Sequence, residues 1–122
     1  TVCVIDKNKN YIGGMIYPGI EVSLNSLTAN ASQLGGVGIE VPGNIVGKNT
    51  IDCMKSGMIY SAAAAIDGII DRLSEELEGE VTTVATGGLA KKIIPQCRRK
   101  VILDDDLLLK GLEIIYNKNR KQ

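Results

Sequence analysis

Between about Thr50 and Glu78 the chain reads as one long amphipathic helix, and a helix of that length dictates much of what must surround it. Ile51, Met54, Met58, Ala62, Ala65, Ile69 and Leu73 recur at three- and four-residue spacing, and Ile59, Ile66 and Ile70 widen that stripe. Ser56, Gly57, Ser61, Ala64 and Gly68 make a second face of small side chains, against which another backbone can approach closely. A helix with two buried faces needs two neighbours. Ordinary packing inside the domain supplies them, and so does a helix–helix contact across a homodimer through residues 50–78. Gly79 provides a stop.

The segments around this helix alternate in type. "TVCVID" and "YIGGMIY" are β-rich runs joined by "KNKN", the pattern of a hairpin. Val2 and Val4 oppose Cys3 and Ile5, so both faces of the first strand are apolar and suit burial on two sides. Pro18-Gly19 closes the second strand. Ile20, Leu24, Leu27, Ala31 and Leu34 then form a helical stripe that Gly35-Gly36 ends. "VGIEVPG" is a short strand or an extended connector. "EVTTVATGG" is a strand entering a glycine turn, and "LAKKIIPQC" is a short helix halted by Pro95. "RRKVILDDD" is a last strand whose three aspartates cap the helix "LLLKGLEIIYNK". The order β-β-α-β-α-β-α-β-α is an α/β pattern, and 122 residues suit one domain, 1–122.

Composition removes several function classes. Fourteen basic residues balance fourteen acidic ones, so no basic surplus invites nucleic acid, and the absence of Phe and Trp leaves no stacking platform. No apolar run approaches the ~20 residues of a membrane span. No basic segment followed by an apolar core marks a secretory signal. The chain opens at Thr1 directly in an apolar run, as though entered midway through a fold. Histidine is absent, which takes away the commonest general base and the commonest metal ligand. Cys3, Cys53 and Cys97 are odd in number and form no C-x-x-C, the usage of reduced thiols in a cytoplasmic protein rather than of a zinc site.

Three short motifs are left over by packing. "PGNIVGKNTID" resembles a phosphate-binding loop, but Gly43 and Gly47 enclose only three residues and Asn49 separates Lys48 from Thr50, so a Walker cradle is not formed. "GGMIYPG" sets Gly13 and Gly14 inside a strand, where they weaken it unless another backbone or a ligand comes close. "ATGG", Ala85 to Gly88, stands at a strand end before a helix, a place where α/β sheets bind ligands.

Together, "YIGGMIYPGI", "VGKNTIDCMKSGMIY", "VATGGLA" and "LLLKGLEIIYNKN" closely resemble the C-terminal half of type III pantothenate kinases, over essentially all 122 residues. The resemblance implies a ribonuclease H-like half of the actin-like ATPase superfamily (the acetate and sugar kinases, heat-shock ATPases and actin), a mixed sheet flanked by helices. It also implies a cytoplasmic homodimer that transfers phosphate from ATP to the 4′-hydroxyl of pantothenate, the first step towards coenzyme A, with Mg²⁺ and a monovalent cation, K⁺ or NH4⁺. Thr50 would contact pantothenate held mainly by the partner subunit, with a plain helix cap as its other reading and Asn49 as a rival cap. A hydroxyl beside free N–H groups at a helix start suits the carboxylate that pantothenate carries. Lys48 and Asn49 are further candidates for a substrate or anion contact. Thr86, Gly87 and Gly88 match the place where the family brings backbone against the adenosine, and a bare strand–helix turn explains them as well. Gly13 and Gly14 would line the cleft floor, unless close packing alone accounts for them.

The family's phosphate-holding "D-x-G-N-T" and its "G-x-D-R", with the general base, do not occur in this chain, and its "D-F-G-T-A-T" would end one residue before Thr1. The expectation is therefore a kinase half that is inactive alone, with no catalytic residue and no metal ligand of its own. A non-enzymatic dimerising module, or a subunit complemented in trans, is the alternative. Asp6, Asp52, Asp67 and Asp71 read as turn, cap or helix-surface residues. Leu34-Gly35 stands where the family has Leu-Pro, Tyr17 where a smaller residue is common, and Tyr60–Ala65 where the helix is richer in glycine.

Overall fold

The structure, a computed structural model, describes residues 1–29 and 36–120, and these gather into two compact units, Thr1–Gly36 and Val37–Gln122. Ala31, Leu34 and Gly35, named above for the first helix and its stop, lie outside the described residues.

In the first unit β1 (Val2–Ile5) pairs antiparallel with β2 (Tyr11–Met15), as the hairpin pattern predicts. Asp6 organises the turn. Its carboxylate accepts the amides of Asn8 and Asn10 at 2.8 Å each, and those hydrogen bonds, Asn10's first, hold it below the usual carboxylate range. The register slips between Val4 and Ile5, so Ile12 is the extra residue of a bulge, next to Gly13 at φ +131°. Gly14 is explained by its neighbour strand, because a Cβ there would overlap the Val2 carbonyl. The expectation that β1 is buried on both sides is not met: Val2 and Val4 are half-buried, whereas Cys3 and Ile5 are exposed. A two-stranded ribbon offers each strand one neighbour, which cannot cover two faces. α1 (Ile20–Ala29) buries Ile20 and Leu24 and leaves Leu27 exposed.

The second unit is organised on α2 (Thr50–Glu76). Ser56, Ile59 and Ala63, on successive turns, are its buried residues, and α3 (Ala90–Ile93) with the 3-10 turn Ile94–Gln96 packs against it. Complete burial of Ile59 stabilises the unit by about 1.5–3 kcal/mol. α-Helical bonding stops before Pro95, which takes an early position of the 3-10 turn, where its missing N–H costs no bond. Cys97 tucks its thiol under α2, donating to the Ala63 carbonyl at 3.9 Å, and burial raises its pKa, with the charge of Asp67 adding to the effect.

β3 (Val84–Ala85) and β4 (Ile102–Leu103) form a short parallel pair, and α4 (Leu107–Arg120) follows with no residue buried. Residues 37–43 form no strand. They are the extended connector of the two readings, with no strand among the described residues paired to them. The described residues thus form a mixed α/β chain with two small sheets.

Candidate functional site

The connector that precedes α2 is fastened to the helix it feeds. Lys55 in the second turn of α2 reaches back to Glu40 at 2.9 Å, and Lys92 of α3 donates to the Ile39 carbonyl at 2.6 Å. The Lys55 hydrogen bond draws the Glu40 carboxyl below its ordinary range. Closer to the helix, the buried Ser56 hydroxyl donates to the Ile45 carbonyl, and the Cys53 thiol to the Gly47 carbonyl at 3.4 Å. Gly47 is glycine for want of space. A Cβ there would run into the backbone of Asp52 and Cys53.

This fastening presents Lys48, Asn49 and Thr50 as an exposed corner. Asn49 is the N-cap, in extended conformation at φ −142° and ψ 168°. Its Oδ1 accepts the Asp52 amide at 2.9 Å, and its Nδ2 donates to Asp52 Oδ2 at 2.7 Å, a reciprocal cap related to the capping box. Both ends of the Asn49 amide are thereby engaged in the cap, each with one further hydrogen-bonding position. Thr50 becomes the first residue of the helix, and no described residue hydrogen-bonds its hydroxyl. Lys48 makes no ion pair among the described residues. The corner thus offers a hydroxyl, an ammonium and the unbonded first-turn amides of α2, donors that suit a carboxylate or another small anion.

A second corner lies at the carboxyl ends of β3 and β4. Pairing of Ala85 with Leu103 brings Thr86-Gly87-Gly88 and Asp104-Asp105-Asp106 to the same end of this sheet. Gly87 takes φ +110°, which favours glycine, and accepts the Ala90 amide at 3.1 Å. A Cβ added at Gly87 or at Gly88 would meet nothing within 4 Å, so this backbone is open to close approach. The aspartates are engaged: Asp104 with Lys110 and Asp105 with Lys91, each at 2.7 Å. Asp104 also accepts the Asp106 amide, so it orders the turn into α4. Among the described residues no three Cys, Asp or Glu side chains converge as a metal-holding group, so those residues do not fit a divalent cation.

Gly13 and Gly14 belong to the first unit, where bulge and strand packing account for them. Asp52 is a cap and Asp6 a turn residue, as read from sequence. Asp67 and Asp71 are more than helix-surface residues. Asp67 accepts the Arg98 amide at 2.8 Å and the Arg99 amide at 2.9 Å, and Asp71 pairs with the Arg99 guanidinium at 2.6 Å. These contacts border an open groove of about 630 Å³ beside Tyr60 and Ala64. Their i, i+4 spacing on α2 opposite "RR" was the signal, though it does not reveal which stretch of chain the pair would meet.

The sequence model of the family described as type III pantothenate kinase matches residues 1–72. The chain belongs to the type III pantothenate kinase family. It is 43% identical over 119 residues to a type III pantothenate kinase of Halalkalibacterium halodurans, a match that covers 98% of this chain and 47% of that relative. It is 42% identical to the type III pantothenate kinase of Bacillus cytotoxicus, with 98% and 45% covered. The chain therefore spans about half the length of the curated relatives it matches. No helix among the described residues is long and apolar enough to cross a membrane.

Proposed function

We propose that this chain is the C-terminal, substrate-contacting half of an ATP-dependent kinase that phosphorylates pantothenate, a single ribonuclease H-like half-domain of the actin-like superfamily. The observation that carries this reading is the division of labour at the α2 corner. Asn49 takes the cap, so the Thr50 hydroxyl stands unbonded beside free amides and Lys48, donors matched to the pantothenate carboxylate. Thr86, Gly87 and Gly88 serve as the adenosine-side backbone. ATP with Mg²⁺, when bound, supplies the phosphoryl group and the neutralising charge, and K⁺ or NH4⁺ assists. The ligands of those ions and the general base belong to the other half, so this chain alone is inactive. It works in the cytoplasm as a homodimer, in which Thr50 reaches pantothenate held by the partner.

A dimerising module without catalysis is the second reading, favoured by the exposure of Gly57, Ser61 and Ala64 on the small-residue face of α2. ADP release with ATP, Mg²⁺, K⁺ and pantothenate separates the two. The kinase reading expects no turnover by the chain alone, turnover when the remaining half of a relative is added, and loss of about 10-fold or more in kcat/KM with Thr50→Val. Turnover that Thr50→Val leaves untouched removes Thr50 from the site. No turnover in the mixture, with a stable dimer present, favours the module.

A further inference from the structure

Ser56, in the second turn of α2, is the only buried polar side chain among the described residues, at 6% exposure. A helical serine can return its hydroxyl to the carbonyl one turn back. This one instead leaves the helix and donates to the Ile45 carbonyl, 11 residues earlier in the chain. Between the two bonded residues lies the Lys48-Asn49-Thr50 corner, so the bond closes a loop that contains the candidate anion contacts. Little else restrains residues 45–47. Ile45 is 64% exposed and Val46 74%, so burial of apolar surface anchors neither. The Cys53 thiol that meets the Gly47 carbonyl is a weak donor. The Lys55 to Glu40 pair acts further back in the connector, and the Glu40 carboxylate is open to water, where such pairs contribute little. Gly47 abuts the backbone of Asp52 and Cys53, a contact that limits approach without fixing direction. The Ser56 bond, shielded from competing water, is the strongest single restraint on this stretch. Asn49 and Thr50 are held separately, by the Asp52 cap and by the helix itself. Lys48 stands on the loop side of that cap.

We propose that Ser56 is a positioning residue for the substrate. By holding the Ile45 carbonyl it fixes the path of residues 45–47, and with it the place from which Lys48 presents its ammonium to the pantothenate carboxylate. The inference rests on the kinase reading above and gives a buried residue of α2 a part in substrate affinity. Ser56 acts through Lys48 and not by touching the substrate. Two roles are therefore separable by kinetics. A hydroxyl that serves only the fold lowers, when lost, the fraction of active protein, and so the apparent kcat, with both KM values kept. A hydroxyl that positions Lys48 raises the KM for pantothenate alone.

The test uses the ADP-release assay on the chain mixed with the remaining half of the H. halodurans relative. Ser56→Ala is expected to raise the KM for pantothenate about 5-fold, with kcat and the KM for ATP unchanged. In a Lys48→Met background the same change is expected to add nothing. A fall in kcat with both KM values kept makes Ser56 a residue of the fold and overturns the proposal. So does an undiminished rise in the Lys48→Met background. A second readout does not depend on turnover. In Ser56→Ala the amide order parameters of Val46, Gly47 and Lys48, from nitrogen-15 relaxation, should fall from the rigid range of about 0.85 towards about 0.6. The Asp52 amide, held by Asn49, should keep its value. No fall in the three overturns the proposal whether or not the mixture turns over. If Thr50→Val and Lys48→Met both leave the pantothenate KM untouched, the reading of the corner fails and takes this proposal with it. If they raise it and Ser56→Ala does not, the corner stands and this proposal alone fails.

Discussion

Gly47 lies so close to the first turns of α2 that a Cβ built on it would stand 2.7 Å from the Cys53 Cα, well inside van der Waals contact. The neighbour is backbone of a helix, which cannot step aside as the end of a flexible side chain can. Gly47→Ala should therefore cost about 1–3 kcal/mol through overpacking. Gly43, four residues earlier, has nothing within 4 Å of the same position, and Gly43→Ala should stay within about 0.5 kcal/mol. Urea denaturation of the two variants makes the comparison.

Asn49 and Thr50 adjoin in sequence but have separable roles. Asn49→Ala removes the acceptor of the Asp52 amide and should lose about 1 kcal/mol of stability. Thr50→Val keeps shape and removes a hydroxyl that no described residue uses, so stability should change by no more than about 0.5 kcal/mol. Thermal melts check both. A loss with Thr50→Val as large as that with Asn49→Ala would mean the hydroxyl serves the fold.

The C-terminus of α2 closes with a Schellman motif: the Gly79 amide bonds the Ser74 carbonyl at 2.9 Å and the Glu78 amide bonds that of Glu75 at 3.3 Å. The left-handed residue is Glu78, at φ +55°, and the glycine stands one position later. Glu78→Gly places the permissive residue where the backbone needs it and should stabilise by about 0.5–1 kcal/mol, since relief of the left-handed strain outweighs the added freedom of the unfolded chain. An unchanged or lowered denaturation midpoint would mean that the Glu78 side chain supplies a compensating contact.

That glycine illustrates how far the sequence could be read. Periodicity identified α2 and its approximate end, because apolar spacing and a nearby glycine are local signals. It missed that the left-handed position falls on Glu78, which depends on where the last helical bond forms. The hairpin was legible from two β-rich runs around "KNKN", since antiparallel neighbours in sequence are neighbours in space. Residues 37–43 have the composition of a strand but no strand partner among the described residues, and pairing is not encoded in the segment itself. Family resemblance drew attention to Lys48-Asn49-Thr50, yet only the fold shows Asn49 spending both ends of its amide on Asp52. The Asp67 link to Arg98 and Arg99 spans 31 residues or more, beyond any local pattern.

Asp104 and Lys110 should give the start of α4 a pH profile with two edges. The Lys110 hydrogen bond lowers the Asp104 carboxyl, and the Asp104 hydrogen bond raises the Lys110 ammonium. A lowered carboxylate stabilises above its ordinary range and loses that contribution as pH falls through the lowered value. A raised ammonium stabilises below the ordinary lysine range and loses it as pH rises through the raised value. The pair is therefore fully effective across neutral pH, with small amplitude because the Lys110 ammonium is exposed and the Asp104 carboxylate is only half-buried. Amide shifts of residues 106–110 followed by NMR should move at both edges. Asp104→Asn should remove both movements, whereas Asp105→Asn, which breaks a different pair with Lys91, should leave them in place.

The 27 residues of α2 form a rod about 40 Å long at 1.5 Å per residue, with Thr50 at its tip. Ala64, on the exposed small-residue face, is about 21 Å along that rod from Thr50 by the same rise. A tilt of roughly 3° about Ala64 carries the tip about 1 Å, a displacement large enough to matter to a positioned polar contact. Whatever seats itself against the middle of α2 therefore acts as the fulcrum of a lever, and sets at a distance where the Thr50 hydroxyl points.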